Sequence, residues 1–275
     1  MNRRSLSILP LVLLVLLLAT GLGQACVFME SMGPVTTAPI PDDPRVRAVV
    51  DALRPSVVEV RATSTRGLVV QEMGLGTGVI VREDGLVVTN DHVVTLGSEI
   101  GGNDPASRKP ANKIEIRLQD GTSLRAQLIG RAPGYDLAFL DVQRTGMPAA
   151  TLLTDLDDVQ VGALAVAIGA AANLERPVTV GQVTDVLDNV RSRNLPELKV
   201  LIRSNVPLTQ GNSGGPLADE QARVMGINVA VTMGDRRDTE INGSSLTIPA
   251  TVVLEAWTDL EAEAARSSLV DAGVP

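Results

Sequence analysis

Aromatic side chains are nearly absent from this chain: one Trp, one Tyr and two Phe stand among 275 residues. A core must therefore be built from Val, Ile, Leu and Ala, and the first two are stiff at χ1 and suit the pleated surface of strands. Cysteine and histidine are rarer still, with Cys26 and His92 the single examples of each. One cysteine excludes an intramolecular disulfide and a Cys-rich metal site. One histidine excludes a multi-histidine zinc centre. Basic charge is also short: Lys+Arg 24 against Asp+Glu 32 leaves a net charge of −8. Nucleic-acid binding depends on neutralising phosphates with Lys and Arg, so this balance speaks against nucleic acid as a partner.

What the chain does have begins with a targeting segment. Arg3-Arg4 precede an apolar run from Ile8 to Ala19, followed by small residues up to Cys26. That is the layout of a secretory signal, and the run is short for a full membrane span. Three outcomes are open. Cleavage after Ala25 would release a soluble chain, lipid attachment to Cys26 would tether it, and retention of residues 1–26 would anchor it in the membrane. The position of Cys26 just behind the run favours lipidation, although LGQAC departs from a bacterial lipobox because Leu22 comes one position early. The plain alternative is an incidental thiol. Each outcome places the mature chain outside the cytoplasm, either secreted or associated with the cell envelope.

Residues 27–44 carry Pro34, Pro39, Pro41 and Pro44 and read as an extended linker. Val46, Val49, Val50 and Leu53 then fall at helical spacing, ended by Arg54-Pro55. This short helix is expected to lie against the first of the barrels that follow. From Val57–Val60 to Leu246–Ile248 about twelve short apolar segments alternate with turns, among them Glu83-Asp84-Gly85 and Gln119-Asp120-Gly121. Such a pattern predicts one or two closed antiparallel barrels, with 151–162 as a crossover. After Pro249 the period becomes helical again. Val252, Val253, Ala256, Trp257, Leu260 and Ala264 share a face expected to pack on the second barrel.

Three motifs carry chemistry. In Gly211-Asn212-Ser213-Gly214-Gly215-Pro216-Leu217 a serine stands on a tight turn whose glycines reach unusual backbone angles and let a substrate approach. The backbone N–H groups of Gly211 and Ser213 are placed to converge on an oxyanion. In Thr89-Asn90-Asp91-His92-Val93-Val94 the imidazole follows a strand, and its ordinary pKa near 6.5 suits a general base. In Gly134-Tyr135-Asp136-Leu137-Ala138-Phe139-Leu140 an aspartate precedes a strongly apolar strand, where it can accept an imidazole N–H. Taken singly, each has a plain structural alternative: a glycine-rich turn, a capping histidine, a turn aspartate. Together they run in the order His, Asp, Ser, with His92 and Asp136 in the first half and Ser213 in the second.

GTGVIVREDGLVVTNDHVV, YDLAFLDV and TQGNSGGPL resemble the three catalytic blocks of the HtrA/Deg family of trypsin-like serine proteases. RVRAVVDALRPSVVEV, VGALAVAIG, VTVGQVTDV, MGINVAV and SLTIPA resemble other segments of that family, so the likeness covers residues 45–265. It implies an all-β fold of two six-stranded antiparallel β-barrels with a short N-terminal and a C-terminal helix. The expected organisation is a signal or anchor over 1–26, a linker over 27–44, a protease domain over 45–266 and a tail over 267–275. Within that domain, barrel one covers about 55–155, barrel two about 156–250 and the final helix about 250–266. The resemblance implies a triad of His92, Asp136 and Ser213 without metal or cofactor, acting as an endopeptidase on unfolded or misfolded extracytoplasmic polypeptides. By analogy the specificity pocket lies at Pro207 and Leu208 and along Asn228, Val229 and Ala230. No acidic residue stands there, so a small or medium aliphatic P1 residue is expected. The chain departs from the family in the expected lack of a PDZ domain and in Ile202-Arg203-Ser204-Asn205-Val206. Homotrimer and monomer both stay open. The alternative function is a catalytically silent, protease-like module that binds peptides or partners at the cell envelope.

Overall fold

The computed structural model describes residues 41–66, 69–95, 105–171, 178–190, 197–208, 211–229 and 245–271. Helix α1, Pro44–Leu53, starts one residue earlier than its apolar spacing suggests. Pro44 takes the first helical position, where its missing N–H costs nothing, and Asp43 caps the end by accepting from the Arg45 N–H at 2.8 Å. Arg54-Pro55 bends the chain into a 3₁₀ turn before the first strand.

Six strands close the first barrel in the order β1, β2, β3, β6, β5, β4. They are β1 Val57–Arg66, β2 Val69–Ile80, β3 Leu86–Thr89, β4 Lys113–Arg117, β5 Ser123–Ala132 and β6 Leu137–Asp141. The four-residue helix α2, Asp91–Val94, follows β3 directly. Six more strands close the second barrel: β7 Leu164–Ile168, β8 Val178–Leu187, β9 Leu201–Ser204, β10 Pro216–Ala218, β11 Val224–Val229 and β12 Ser245–Pro249. Helix α3, Ala250–Asp271, ends the described chain. All strand pairs are antiparallel.

Apolar side chains leave both faces of many strands, and each face has its own core. Val58, Val60, Ile80, Val87, Ile116 and Leu140 fill barrel one. Ala165, Ala167, Ile202, Leu217 and Met225 fill barrel two. The alternate positions Val57, Val79, Val88, Phe139, Val166 and Ile168 enter a third cluster shared by both barrels. A strand whose two sides are both buried reads as a continuous apolar run, which is why Leu137–Leu140 shows no polar alternation.

Both helices belong to this shared cluster, and here the structure departs from expectation. The four apolar residues of α1 are buried as predicted, yet the strand the helix packs on is β7 of barrel two rather than a strand of barrel one. Helix α3 rests on β11 and β12 and reaches β5 and β6 as well. Trp257 meets Phe139 of β6 with ring centroids 5.2 Å apart. Gly130 of β5 makes room for Leu260, whose Cδ1 lies 2.7 Å from where a glycine Cβ would stand. Ala264 shares the apolar stripe but is exposed, because α3 from Glu261 onward runs past the surface it covers. Among the described residues no helix is long and apolar enough to cross a membrane.

Candidate active site

Asp136 follows the 3₁₀ turn Pro133–Tyr135 and adopts a left-handed conformation, φ 57° and ψ 42°. Aspartate tolerates that region better than most side chains. The turn is closed by the Asp136 N–H donating to the Pro133 carbonyl at 3.1 Å, after which β6 enters the core. The result is a carboxylate only 4% exposed at the head of an apolar strand.

Three successive residues converge on it. The Asn90 side-chain amide and the Asp91 N–H both donate to the Asp136 carbonyl, at 3.0 and 3.1 Å. The His92 N–H donates to Oδ1 at 3.0 Å, and His92 Nδ1 pairs with Oδ2 at 2.8 Å. An ionised carboxylate only accepts hydrogen bonds, so Nδ1 carries the proton in the neutral ring and Nε2 is left as the basic nitrogen. Burial disfavours the imidazolium, but the charge and hydrogen bond of Asp136 outweigh it. Asp91 adds to the raising effect and Arg108 opposes it, so the His92 pKa is raised above its ordinary 6.5.

Beneath the histidine, the fully buried Asp91 meets the Arg131 guanidinium of β5, Nε to Oδ1 at 2.6 Å and Nη2 to Oδ2 at 3.0 Å. The same guanidinium donates to the carbonyls of Arg108 at 3.0 Å and Pro105 at 3.3 Å. Burial pushes the Asp91 carboxyl up, against the lowering effect of Arg131.

Ser213 arrives from barrel two on a turn with left-handed glycines at Gly211 (φ 99°) and Gly214 (φ 82°). It is 5% exposed. A side chain at Gly214 would strike the Thr77 carbonyl at 2.1 Å and the Thr89 hydroxyl at 2.3 Å, and one at Gly76 would meet Val93 Cγ2 at 2.8 Å and the Ser213 carbonyl at 3.0 Å. The serine turn thus lies directly against residues 89–93, the segment that carries His92. Cross-barrel hydrogen bonds hold it there. The Thr77 N–H donates to the Ser213 carbonyl at 2.9 Å and the Thr77 hydroxyl donates to the Gly211 carbonyl at 2.7 Å.

The expected specificity residues are distributed differently. Pro207 is exposed, Leu208 is half-buried against the barrel-two core and Val229 is buried. Asn228 is fully buried with every polar group engaged. Its N–H donates to the Gly215 carbonyl at 2.8 Å and its carbonyl accepts from Gly214 at 3.0 Å. Its amide donates to the Pro216 carbonyl and accepts from the Thr247 hydroxyl, each at 2.9 Å. It therefore braces the serine turn from behind. Ala230 and Cys26 lie outside the described residues. Among the described residues no group of three or more His, Cys, Asp or Glu side chains is arranged to hold a metal ion.

Sequence reasoning did not single out Thr77, Thr89, Asn90, Asp91 or Arg131. The signal for Thr77 was present: Gly74, Gly76 and Gly78 alternate along β2 and two of them flank it, and glycine within a strand marks a close backbone approach. Nothing local distinguishes Arg131 from any other surface arginine.

Two closed six-stranded antiparallel barrels, with a bonded histidine–aspartate pair on one and a serine turn of the other laid against Thr77, Thr89 and Asn90 of the first, define the double-barrel class of trypsin-like peptidases. Comparison with known proteins agrees. Residues 76–227, which include His92, Asp136 and Ser213, match the trypsin-like peptidase domain, and the chain belongs to that family. It is 34% identical over 195 residues to a probable periplasmic serine endoprotease DegP-like of Ectopseudomonas mendocina, covering 70% of this chain and 36% of that protein. It is 35% identical over 162 residues to a protein of the same description from Chlamydia trachomatis, covering 58% of this chain and 29% of the relative. Among solved structures, the HtrA-type protease AlgW with tripeptide superposes with a TM-score of 0.62 at 27% identity, covering 78% of this chain and 62% of that one. The chain thus spans about a third of the length of the curated relatives it matches.

Proposed function

We propose that the chain is a serine endopeptidase in which Ser213 is the nucleophile, His92 the general base and Asp136 the group that orients it. The observation that carries this reading is the 2.8 Å contact between His92 Nδ1 and Asp136 Oδ2, which leaves Nε2 to take a proton. Ser213 Oγ attacks the scissile carbonyl carbon while its proton passes to Nε2. The carbonyl oxygen becomes an oxyanion facing the N–H groups of Gly211 and Ser213. Collapse breaks the C–N bond, and the amine leaves with the proton returned from His92. Water then attacks the acyl-enzyme by the same route, restoring the serine.

The polypeptide substrates are unfolded or misfolded extracytoplasmic proteins. The targeting layout of residues 1–26 and the periplasmic description of the DegP-like relatives support that location, with attachment through the N-terminal segment, including lipidated Cys26, as its membrane-bound form. The side chains of Leu208 and Val229, and the absence of an acidic group among the expected pocket positions, favour small or medium aliphatic P1 residues. Asn228 shapes that wall through its bracing bonds.

The test is degradation of casein by wild type beside Ser213→Ala, together with labelling by a fluorophosphonate. Substitution is expected to lower the rate by about 10⁴-fold or more and to abolish labelling. Unchanged degradation would mean that Ser213 is not the nucleophile. A wild-type chain that neither cleaves nor labels but holds peptides would be the catalytically silent module.

A further inference from the structure

We propose that Thr77 and Thr89 are positioning residues that set Ser213 against His92 across the boundary between the barrels, an inference that rests on the catalytic reading of that pair. Thr77 lies on β2 of barrel one and is fully buried. The pairing of β2 with β3 covers Val79 and Ile80 only. At Thr77 the place of a neighbouring strand is taken by the serine turn of barrel two, through the bond from the Thr77 N–H to the Ser213 carbonyl. The hydroxyl serves both barrels' contact at once. It donates to the Gly211 carbonyl at 2.7 Å and accepts from the Ala170 N–H at 2.9 Å, so it ties the turn ahead of Ser213 to the loop that follows β7.

The second hydroxyl completes the link. Thr89, three positions before His92 on the strand that delivers it, donates to the Thr77 carbonyl at 2.7 Å. A chain of short bonds thus runs from the histidine strand through Thr89 and Thr77 to the carbonyls on both sides of Asn212. Glycines at 214 and 215 permit the approach: a Cβ at Gly215 would stand 2.5 Å from the Ile168 carbonyl and 3.0 Å from Thr77 Cγ2. Because Ser213 and His92 come from different barrels, their separation is set by whatever fixes one barrel to the other at this point. Apolar packing is non-directional and tolerates small slides, whereas a hydroxyl engaged by two backbone groups fixes a distance.

Thr77→Val keeps the shape and the main-chain bonds but leaves the Gly211 carbonyl and the Ala170 N–H without this partner. Steady-state cleavage of a chromogenic peptide, fluorophosphonate labelling per folded molecule and thermal unfolding are measured for Thr77→Val, Thr77→Ser, Thr89→Val and Ser213→Ala. A misplaced nucleophile predicts that Thr77→Val lowers kcat and labelling by about 10²-fold with KM within about twofold. Thr77→Ser, which restores the hydroxyl, is expected within about threefold of wild type, and Thr89→Val to lose about tenfold. A role in packing alone would lower the melting temperature while leaving kcat per folded molecule unchanged, and that result overturns the proposal. If Thr77→Val does not fold, Thr89→Val decides, and full kcat there refutes the clamp. Ser213→Ala keeps the two questions apart: an inactive Ser213→Ala beside a fully active Thr77→Val rejects the clamp alone, and an active Ser213→Ala rejects the catalytic reading beneath it.

Discussion

Barrel one and barrel two present their parts of the site by different means. Barrel one builds the histidine–aspartate pair almost wholly from its own strand ends: β3 runs into α2, the 3₁₀ turn runs into β6, and every bond to Asp136 described above comes from residues 90–92 or 133. Barrel two offers a serine on a turn of small residues whose shape depends on the other barrel. Two carbonyls of that turn, those of Gly211 and Ser213, are held by Thr77. The acid–base pair is thus a local construction and the nucleophile's place a tertiary one, so faults in the two halves should have different signatures.

Among substitutions that leave the nucleophile itself in place, the largest expected effect lies in barrel one. Asp136→Asn keeps a residue that accepts the left-handed backbone but removes the charge and the preference for a proton on Nδ1. It is expected to lower kcat by about 10³–10⁴-fold with little loss of stability, measured by peptide hydrolysis beside thermal unfolding. A loss under tenfold would remove Asp136 from its orienting role. Gly214→Ala, in barrel two, should affect both properties together. The added methyl meets the Thr77 carbonyl at 2.1 Å with φ at 82°, so about 3 kcal/mol of stability and about 10²-fold in kcat should be lost. Retention of both would mean that the turn does not depend on barrel one.

Arg131→Met asks whether the histidine half rests on its buried support. It strands the Asp91 carboxylate, and the expected loss is about 2 kcal/mol in chemical denaturation, less than for a fully enclosed pair because Arg131 keeps 18% exposure. Asp91→Asn combined with Arg131→Met should recover part of that loss. A single variant as stable as wild type would show the pair to be dispensable.

The smallest effect concerns pH. The His92 pKa is raised by Asp136, so kcat/KM should fall on acidification with an inflection above 6.5 rather than at it. The protonated ring contributes stability that is fully present below the unfolded-state pKa and lost as pH rises through the folded one. Activity should therefore rise over the range where this one contribution to stability declines. An inflection below 6.5 would contradict the electrostatic account of the pair.

Much of this was legible beforehand because period and turn chemistry are local. The positions of the twelve strands, the helical stripe Val46, Val49, Val50 and Leu53, and the turns at Gly85 and Gly121 follow from residues that act on their neighbours in the chain. The bond between His92 and Asp136 was anticipated from motif order, since each residue sits where a strand begins or ends. The seat of α3 on barrel two was anticipated as well, but its reach to β5 and β6 and the packing of α1 on β7 were not, because an apolar stripe states that it will be buried and not against what. Asn228 likewise stood among the expected pocket residues, while the structure employs all of its polar groups in bracing the serine turn.

Residue order by itself therefore determined a strand-rich chain short of aromatics, two stretches of helix, and three chemically distinctive motifs, since propensity, periodicity and turn preference operate over a few neighbouring residues. Tertiary structure alone decided that alternate faces of the same strands feed three separate cores, that α3 bridges the barrels while α1 sits on β7, and that a threonine on β2 grips a serine turn 134 residues away in the chain. Such contacts arise only when closed barrels bring distant backbone groups to bonding distance. Burial then requires each of those groups to find a partner, whichever barrel supplies it.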